Sequence, residues 1–132
     1  MRDHLALASV RLEVLRLEEL AARIDAFGGP FEVALLVNVY HYLYFGSRDD
    51  PHYLDSHDAI FDALRAVCSG TLVFSNCTSL EQLPNNVRER ARAQGRATGY
   101  DTSSLRAAAE RRFRVEEHGH LGRRPLWRLT AR

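Results

Sequence analysis

The sequence predicts an α/β domain in which parallel strands are closed by an antiparallel hairpin. Three observations predict it. Residues 31–37 form an almost continuous apolar run between breakers. A helical pattern at 55–67 leads into a second strand-like stretch at 71–74. Two further strand-like stretches, 113–118 and 126–130, are joined by a connection too short for a helical crossover, so they must run antiparallel. At 132 residues the chain supports one domain with one core.

The elements follow in order. Val10, Leu12 and Val14 alternate with Ser9, Arg11 and Glu13, the period of a half-buried strand. Residues 18–27 place Leu20, Ala21, Ile24 and Phe27 on one helical stripe, which Gly28-Gly29-Pro30 stops. The run 31–37 suits a strand covered on both faces, as in a parallel sheet. Asp55 or Ser56 caps a helix carrying Ile60, Phe61, Leu64 and Val67, which ends at Ser69-Gly70. Thr71 to Phe74 is β-branched and aromatic, hence a strand. Residues 84–93 read as helix and 95–99 as loop. Thr102, Ser103 or Ser104 starts a last helix with Leu105, Ala108 and Ala109, and the hairpin follows.

Composition bounds the function. Apolar residues at 45% and charged residues at 27% exclude a disordered chain. A formal charge of +1 gives no general pull toward nucleic acid or a membrane surface. All 18 basic residues are Arg, which excludes Schiff-base chemistry and a lysine-centred phosphate loop. Cys68 and Cys77 show no metal or redox spacing and no secretory signal precedes them; they read as reduced thiols of a cytoplasmic protein. The longest apolar run, 33–37, is far short of the roughly 20 residues a membrane span needs.

Phe31-Glu32-Val33-Ala34-Leu35-Leu36-Val37-Asn38-Val39-Tyr40-His41-Tyr42-Leu43 resembles the fourth strand, and the loop after it, of the class I S-adenosylmethionine-dependent methyltransferases. In that family the segment is usually an F-D-hydrophobic run ending in N-V-L-H-H-L. Here Glu32 replaces the common Asp, and Tyr40 and Tyr42 replace Leu and His. Residues 70–74 resemble the fifth strand; 100–113, 115–119 and 124–130 resemble the closing helix and hairpin. The resemblance covers roughly residues 10–130 and implies the C-terminal half of a Rossmann-like methyltransferase sheet. The glycine-rich E/D-x-G-x-G-x-G turn and the acidic residue that binds the ribose hydroxyls have no counterpart in these residues. Residues 1–17 match only the third strand and its approach. In the family's strand order the first strand lies between the third and fourth, so the strand at 31–37 is left with a bare edge. A companion chain, a second copy or direct pairing with residues 10–15 is expected to cover it.

The resemblance implies roles for particular residues. Asn38 and Val39, at the carboxyl edge where open α/β sheets bind ligands, would contact the amino-acid end of S-adenosylmethionine. Asn38 can equally end the strand by bonding nearby backbone. Glu18 would lie near adenine, although Arg16 falls as close to that place and a solvated helix start also explains the acid. His41 would act as general base or orient a substrate; a half-buried ring held by a carbonyl is the plain alternative. Tyr40, Tyr44, Asn76 and Tyr100 would face a small-molecule substrate, with core packing the alternative for Tyr40 and Tyr44 and a turn for Asn76. Tyr42, Phe45 and Tyr53 add to the same aromatic density.

No metal is expected, because His52, His57, His118 and His120 have no ligand spacing. No nucleic-acid partner is expected either: Arg88, Arg90, Arg92 and Arg96 spread round a helix beside Glu89 as a solvated face. The expected activity is methyl transfer to a small molecule, completed by absent sequence or a partner. Its rival is a non-catalytic interaction or regulatory module with the same fold. No residue selects oxygen, nitrogen or carbon as the methylated atom.

Overall fold

The computed structural model describes residues 10–132. The strand-forming run comes first: Phe31–Val37 is β1, and Cys68–Ser75, Phe113–Leu121 and Arg124–Ala131 are β2, β3 and β4. They form one four-stranded sheet in the order β1-β2-β4-β3. β1 and β2 are parallel, with Leu35 opposite Val73, and β4 runs antiparallel to both β2 and β3. The α/β class with parallel strands and a closing hairpin is therefore present.

The helices are α1 (Leu17–Ala22), α2 (Tyr40–Phe45), α3 (His57–Val67), α4 (Asn85–Ala93) and α5 (Thr102–Glu110). α3 carries the chain from β1 back to β2, and Ser56 caps it by accepting the Ala59 N–H at 3.0 Å. α5 is capped one residue earlier than its serines and threonine suggest. The Asp101 carboxylate accepts the Ser104 N–H at 2.8 Å, a charge-assisted bond that a hydroxyl cannot match. The core lies between these helices and one face of the sheet. Tyr40, Phe61, Phe74 and Phe113 are all fully buried there, with Trp127 stacked on Phe74 at 5.2 Å.

Several expectations are corrected. Residues 10–16 form no strand, and Leu12 and Val14 are 90% and 102% exposed. An alternating pattern becomes a strand only where a neighbour offers backbone partners, and among the described residues β1 pairs with β2 alone. The direct pairing of residues 10–15 with β1 is thus absent among the described residues. Ser9 and the rest of residues 1–9, the remainder of the third-strand match, lie outside the described residues. The helix expected at 18–27 is split: α1 ends at Ala22 and a short 3₁₀ turn, Ile24–Phe27, follows. β1 is not covered on both faces but stands, among the described residues, at the sheet's edge. Its even positions Ala34 and Leu36 pack on the core, while Val33 and Leu35 are 63% and 71% exposed.

The hairpin is longer and tighter than expected. Only Gly122 and Arg123 connect β3 to β4, and Gly122 has φ +61, the left-handed start that a two-residue hairpin loop requires. Between Glu117 and His120 one extra residue on β3 is absorbed as a bulge, where Gly119 also has positive φ. The apparent loop residues are strand with a kink.

Gly70 lies within β2 and does not end the preceding helix. A Cβ there would sit 2.2 Å from the Glu32 carbonyl oxygen, so β1 and β2 meet this closely only because the side chain is hydrogen. Gly70→Ala is expected to lower the unfolding free energy by about 1–3 kcal/mol, the usual cost of overpacking. Urea denaturation would show this as a lowered midpoint at unchanged slope.

Candidate functional site

The carboxyl ends of β1 and β2 converge on one hydrogen-bonded cluster. β1 ends at Val37, and the Asn38 N–H still reaches the Ser75 carbonyl at 2.8 Å. Asn38 then takes φ +59, alone among the described non-glycine residues, a conformation asparagine tolerates better than most. This sharp reversal drops Tyr40 and His41 directly over the end of β2, where Asn76 stands.

Asn76 is fully buried and joins three segments. Its Oδ1 accepts the Tyr40 main-chain N–H at 3.1 Å. Its Nδ2 lies 3.2 Å from His41 Nδ1, 3.0 Å from the Cys77 carbonyl and 3.2 Å from the Tyr100 hydroxyl. Tyr100 in turn donates to the Cys77 carbonyl at 2.8 Å. Beside this clasp sits a second. The Tyr40 hydroxyl is 2.7 Å from His57 Nδ1, and His57 Nε2 is 2.9 Å from the Gly99 carbonyl. A carbonyl only accepts, so His57 carries its proton on Nε2 and takes the Tyr40 proton's bond at Nδ1. Tyr44 stacks on His57 with ring centroids 4.4 Å apart.

Burial sets the charge states. It holds the imidazoles of His41 and His57 below the ordinary histidine range, the Gly99 carbonyl partly opposing this at His57. It pushes the phenols of Tyr40 and Tyr100 upward, so both stay protonated. The folded-state histidine values lie below the unfolded value of about 6.5, so the unfolded chain binds more protons in the window beneath it. This part of the stability is complete above about pH 6.5 and is lost as pH falls through the folded values. Urea midpoints are expected to fall between pH 7.5 and pH 5.5, and His57→Gln is expected to flatten that slope.

The sequence-derived candidates separate into two groups. His41, Tyr40, Asn76 and Tyr100 come together in the cluster just described, with Tyr44 packed against it through His57. Tyr40, Tyr44 and Tyr100 are buried, so their rings build core and do not wall an open pocket. Asn38 and Val39 lie exposed at the strand end. Glu18 stands elsewhere, in the first turn of α1, where it pairs with His52. Those two residues line a pocket of about 200 Å³ with Leu15, Arg16, Tyr42 and Tyr53. Its rim holds a second ion pair, Arg16 to Asp50 at 3.2 Å, whose guanidinium keeps the Asp50 carboxyl below its usual range. The two pairs tie α1 to the loop after α2 and use up the charges lining the pocket.

His57 and Arg96 escaped the sequence reading. His57 resembled a stray histidine, and nothing local marks its two bonds. Arg96, read as part of a solvated face, is inserted between the rings of Tyr44 and Tyr53, 4.1 and 4.4 Å from their centroids. Its guanidinium donates to the carbonyls of Tyr44, Leu54 and Asp55. A position just beyond the helix, after Gly95, was the available signal that it does not share the environment of Arg88 to Arg92.

Among the described residues no group of three or more His, Cys, Asp or Glu side chains is arranged to hold a metal ion. No helix among them is long and apolar enough to cross a membrane. Compared with protein-family models, curated proteins and solved structures, the chain matches none.

Proposed function

We propose that these residues form the substrate-facing half of an S-adenosylmethionine-dependent methyltransferase-like site for a small molecule. A polypeptide segment outside these 132 residues, lying along the free edge of β1, would bring the glycine-rich cofactor turn. One observation carries the reading. Among the described residues, the strand whose carboxyl end leads into Asn38 and His41 is an edge strand, with Val33 and Leu35 largely exposed. An apolar strand is seldom left so unless something pairs with it. The parallel pair closed by an antiparallel hairpin is the arrangement that the family resemblance implies, and β1's open side is where it puts the missing neighbour.

The residues present fit the cofactor in part. Asn38 and Val39, exposed at the sheet's carboxyl end, suit its amino-acid portion; Glu18 lines a nearby pocket but is engaged with His52. Nothing in the chain replaces the glycine-rich turn or the ribose-binding acid. When bound, the cofactor supplies an electrophilic methyl group on sulfonium sulfur. The protein's own contribution is to orient the acceptor and exclude water, which the rigid aromatic packing behind His41 serves.

Calorimetry with S-adenosylhomocysteine tests this. The chain alone is expected to give no heat at millimolar ligand, and the chain mixed with the polypeptide encoded immediately upstream is expected to bind. Absence of binding by the mixture, or an upstream sequence without a glycine-rich turn, would overturn the reading. That outcome leaves the non-catalytic interaction module, which the internal hydrogen bonding of Tyr40, Asn76 and Tyr100 favours.

A further inference from the structure

Residues 10–14 and β1 each lack a neighbour, and they lack it in matching form. Residues 10–15 belong to no helix or strand and make no main-chain hydrogen bond to another described residue. The polar side of this segment meets the chain: the Arg11 guanidinium lies 4.3 Å from the centre of the Phe27 ring and bonds Glu13 at 2.8 Å. Its apolar side, Val10, Leu12 and Val14, is left in solvent, the reverse of what burial favours.

β1 repeats the pattern. Val33, Leu35 and Val37 are exposed at every second position, and no described residue pairs with the strand's outer edge. With three apolar residues at a period of two on each side, Leu12 falls opposite Leu35 whether the strands run parallel or antiparallel, and the two outer pairs follow. Arg11 and Glu13 then oppose Ala34 and Leu36, clear of Glu32, so no like charges meet.

Within one chain the two do not meet. Arg16 with Asp50 at 3.2 Å, and Glu18 with His52, hold the start of α1 on the loop after α2. An open cavity of about 500 Å³, lined by Arg11, Glu13, Leu15 and Phe31, lies between the segment and the start of β1. A partner that covered β1 alone would leave Val10, Leu12 and Val14 in water. A second copy supplies both missing neighbours, because each chain carries one free segment and one free edge, and a two-fold axis closes the pair with neither left over.

We propose that two copies of the chain associate by exchanging residues 10–14, each segment lying as an added strand along the free edge of the other copy's β1. Main-chain hydrogen bonds give this contact its affinity, and the matched apolar pairs fix its register. The exchange does not rest on the methyltransferase reading. It claims the same edge as the companion polypeptide, so the dimer is the resting form that the companion has to displace.

Sedimentation of the full chain at about 100 μM, enough to populate a dimer of micromolar Kd, is expected to show a dimer that dissociates on dilution. Leu12→Glu and Leu35→Glu each put a carboxylate into the pairing and are expected to weaken dimerisation at least about tenfold; Arg114→Glu, on the far strand β3, is expected to leave it unchanged. The decisive sample is an equal mixture of the two leucine variants. It keeps one undamaged pair, the segment of the Leu35→Glu chain on β1 of the Leu12→Glu chain, and is expected to associate more tightly than either variant alone. Association in the mixture also shows that both variants are folded. A monomeric unaltered chain overturns the proposal. So does a dimer broken by Leu35→Glu and indifferent to Leu12→Glu, which is β1 pairing with β1, and so does a mixture no tighter than its components. No companion or cofactor enters these measurements, so failure of the methyltransferase reading is recorded separately.

Discussion

Asn76→Ala is expected to lower the unfolding free energy by about 3 kcal/mol, since each buried polar group left without a partner costs roughly 1–3 kcal/mol. The substitution strands the Tyr40 N–H and removes the donor facing His41 Nδ1, both at buried positions. Tyr100 keeps its bond to the Cys77 carbonyl, so the loss falls on the β1 side of the clasp. Chemical denaturation would measure it. A loss below about 0.5 kcal/mol, the range of ordinary surface changes, would mean that Asn76 does not hold the strand ends together.

Leu35→Glu is expected to do the opposite, leaving the isolated chain nearly unaltered and weakening the association proposed for the edge of β1. Leu35 is 71% exposed, so its replacement costs the lone chain about 0.5 kcal/mol or less. If the proposed companion polypeptide pairs with β1 and covers it, a charge in the middle of the strand is expected to weaken its binding at least a hundredfold, about 2.7 kcal/mol. Calorimetric titration of the companion into each variant measures the loss, with Arg114→Glu on β3, at the far edge of the sheet, as the control. Equal binding by the two variants would place the companion away from β1. A large fall in the lone chain's own stability would mean that Leu35 is covered by the chain itself.

Much of the fold was legible because its signals are local. The run from Phe31 to Val37, the Ser56 cap and the paired stretches around Gly122 each announce an element through residues within a few positions of one another. The bare edge of β1 was legible too, although by a longer route, from a strand expected on its other side and missing from the sequence. The site was legible only in its membership. His41, Asn76, Tyr40 and Tyr100 were all singled out, but as residues facing a substrate, because residue type alone does not reveal what a side chain meets. Residues 10–14 show the converse. Their alternation is as regular as that of any strand, yet a strand is a relation between two chain segments and this one has no partner among the described residues.

The sequence by itself determined an α/β chain with parallel strands, an antiparallel end and no glycine-rich cofactor turn. These are matters of residue order and local periodicity. Only the tertiary structure decided that Asn38 turns with positive φ and that Asn76 thereby meets both Tyr40 and His41. The reason lies in distance along the chain. Asn76 and His41 are 35 residues apart, and the direction of a hydrogen bond between them depends on the other atoms each must satisfy. Those atoms come together only when β1 lies beside β2.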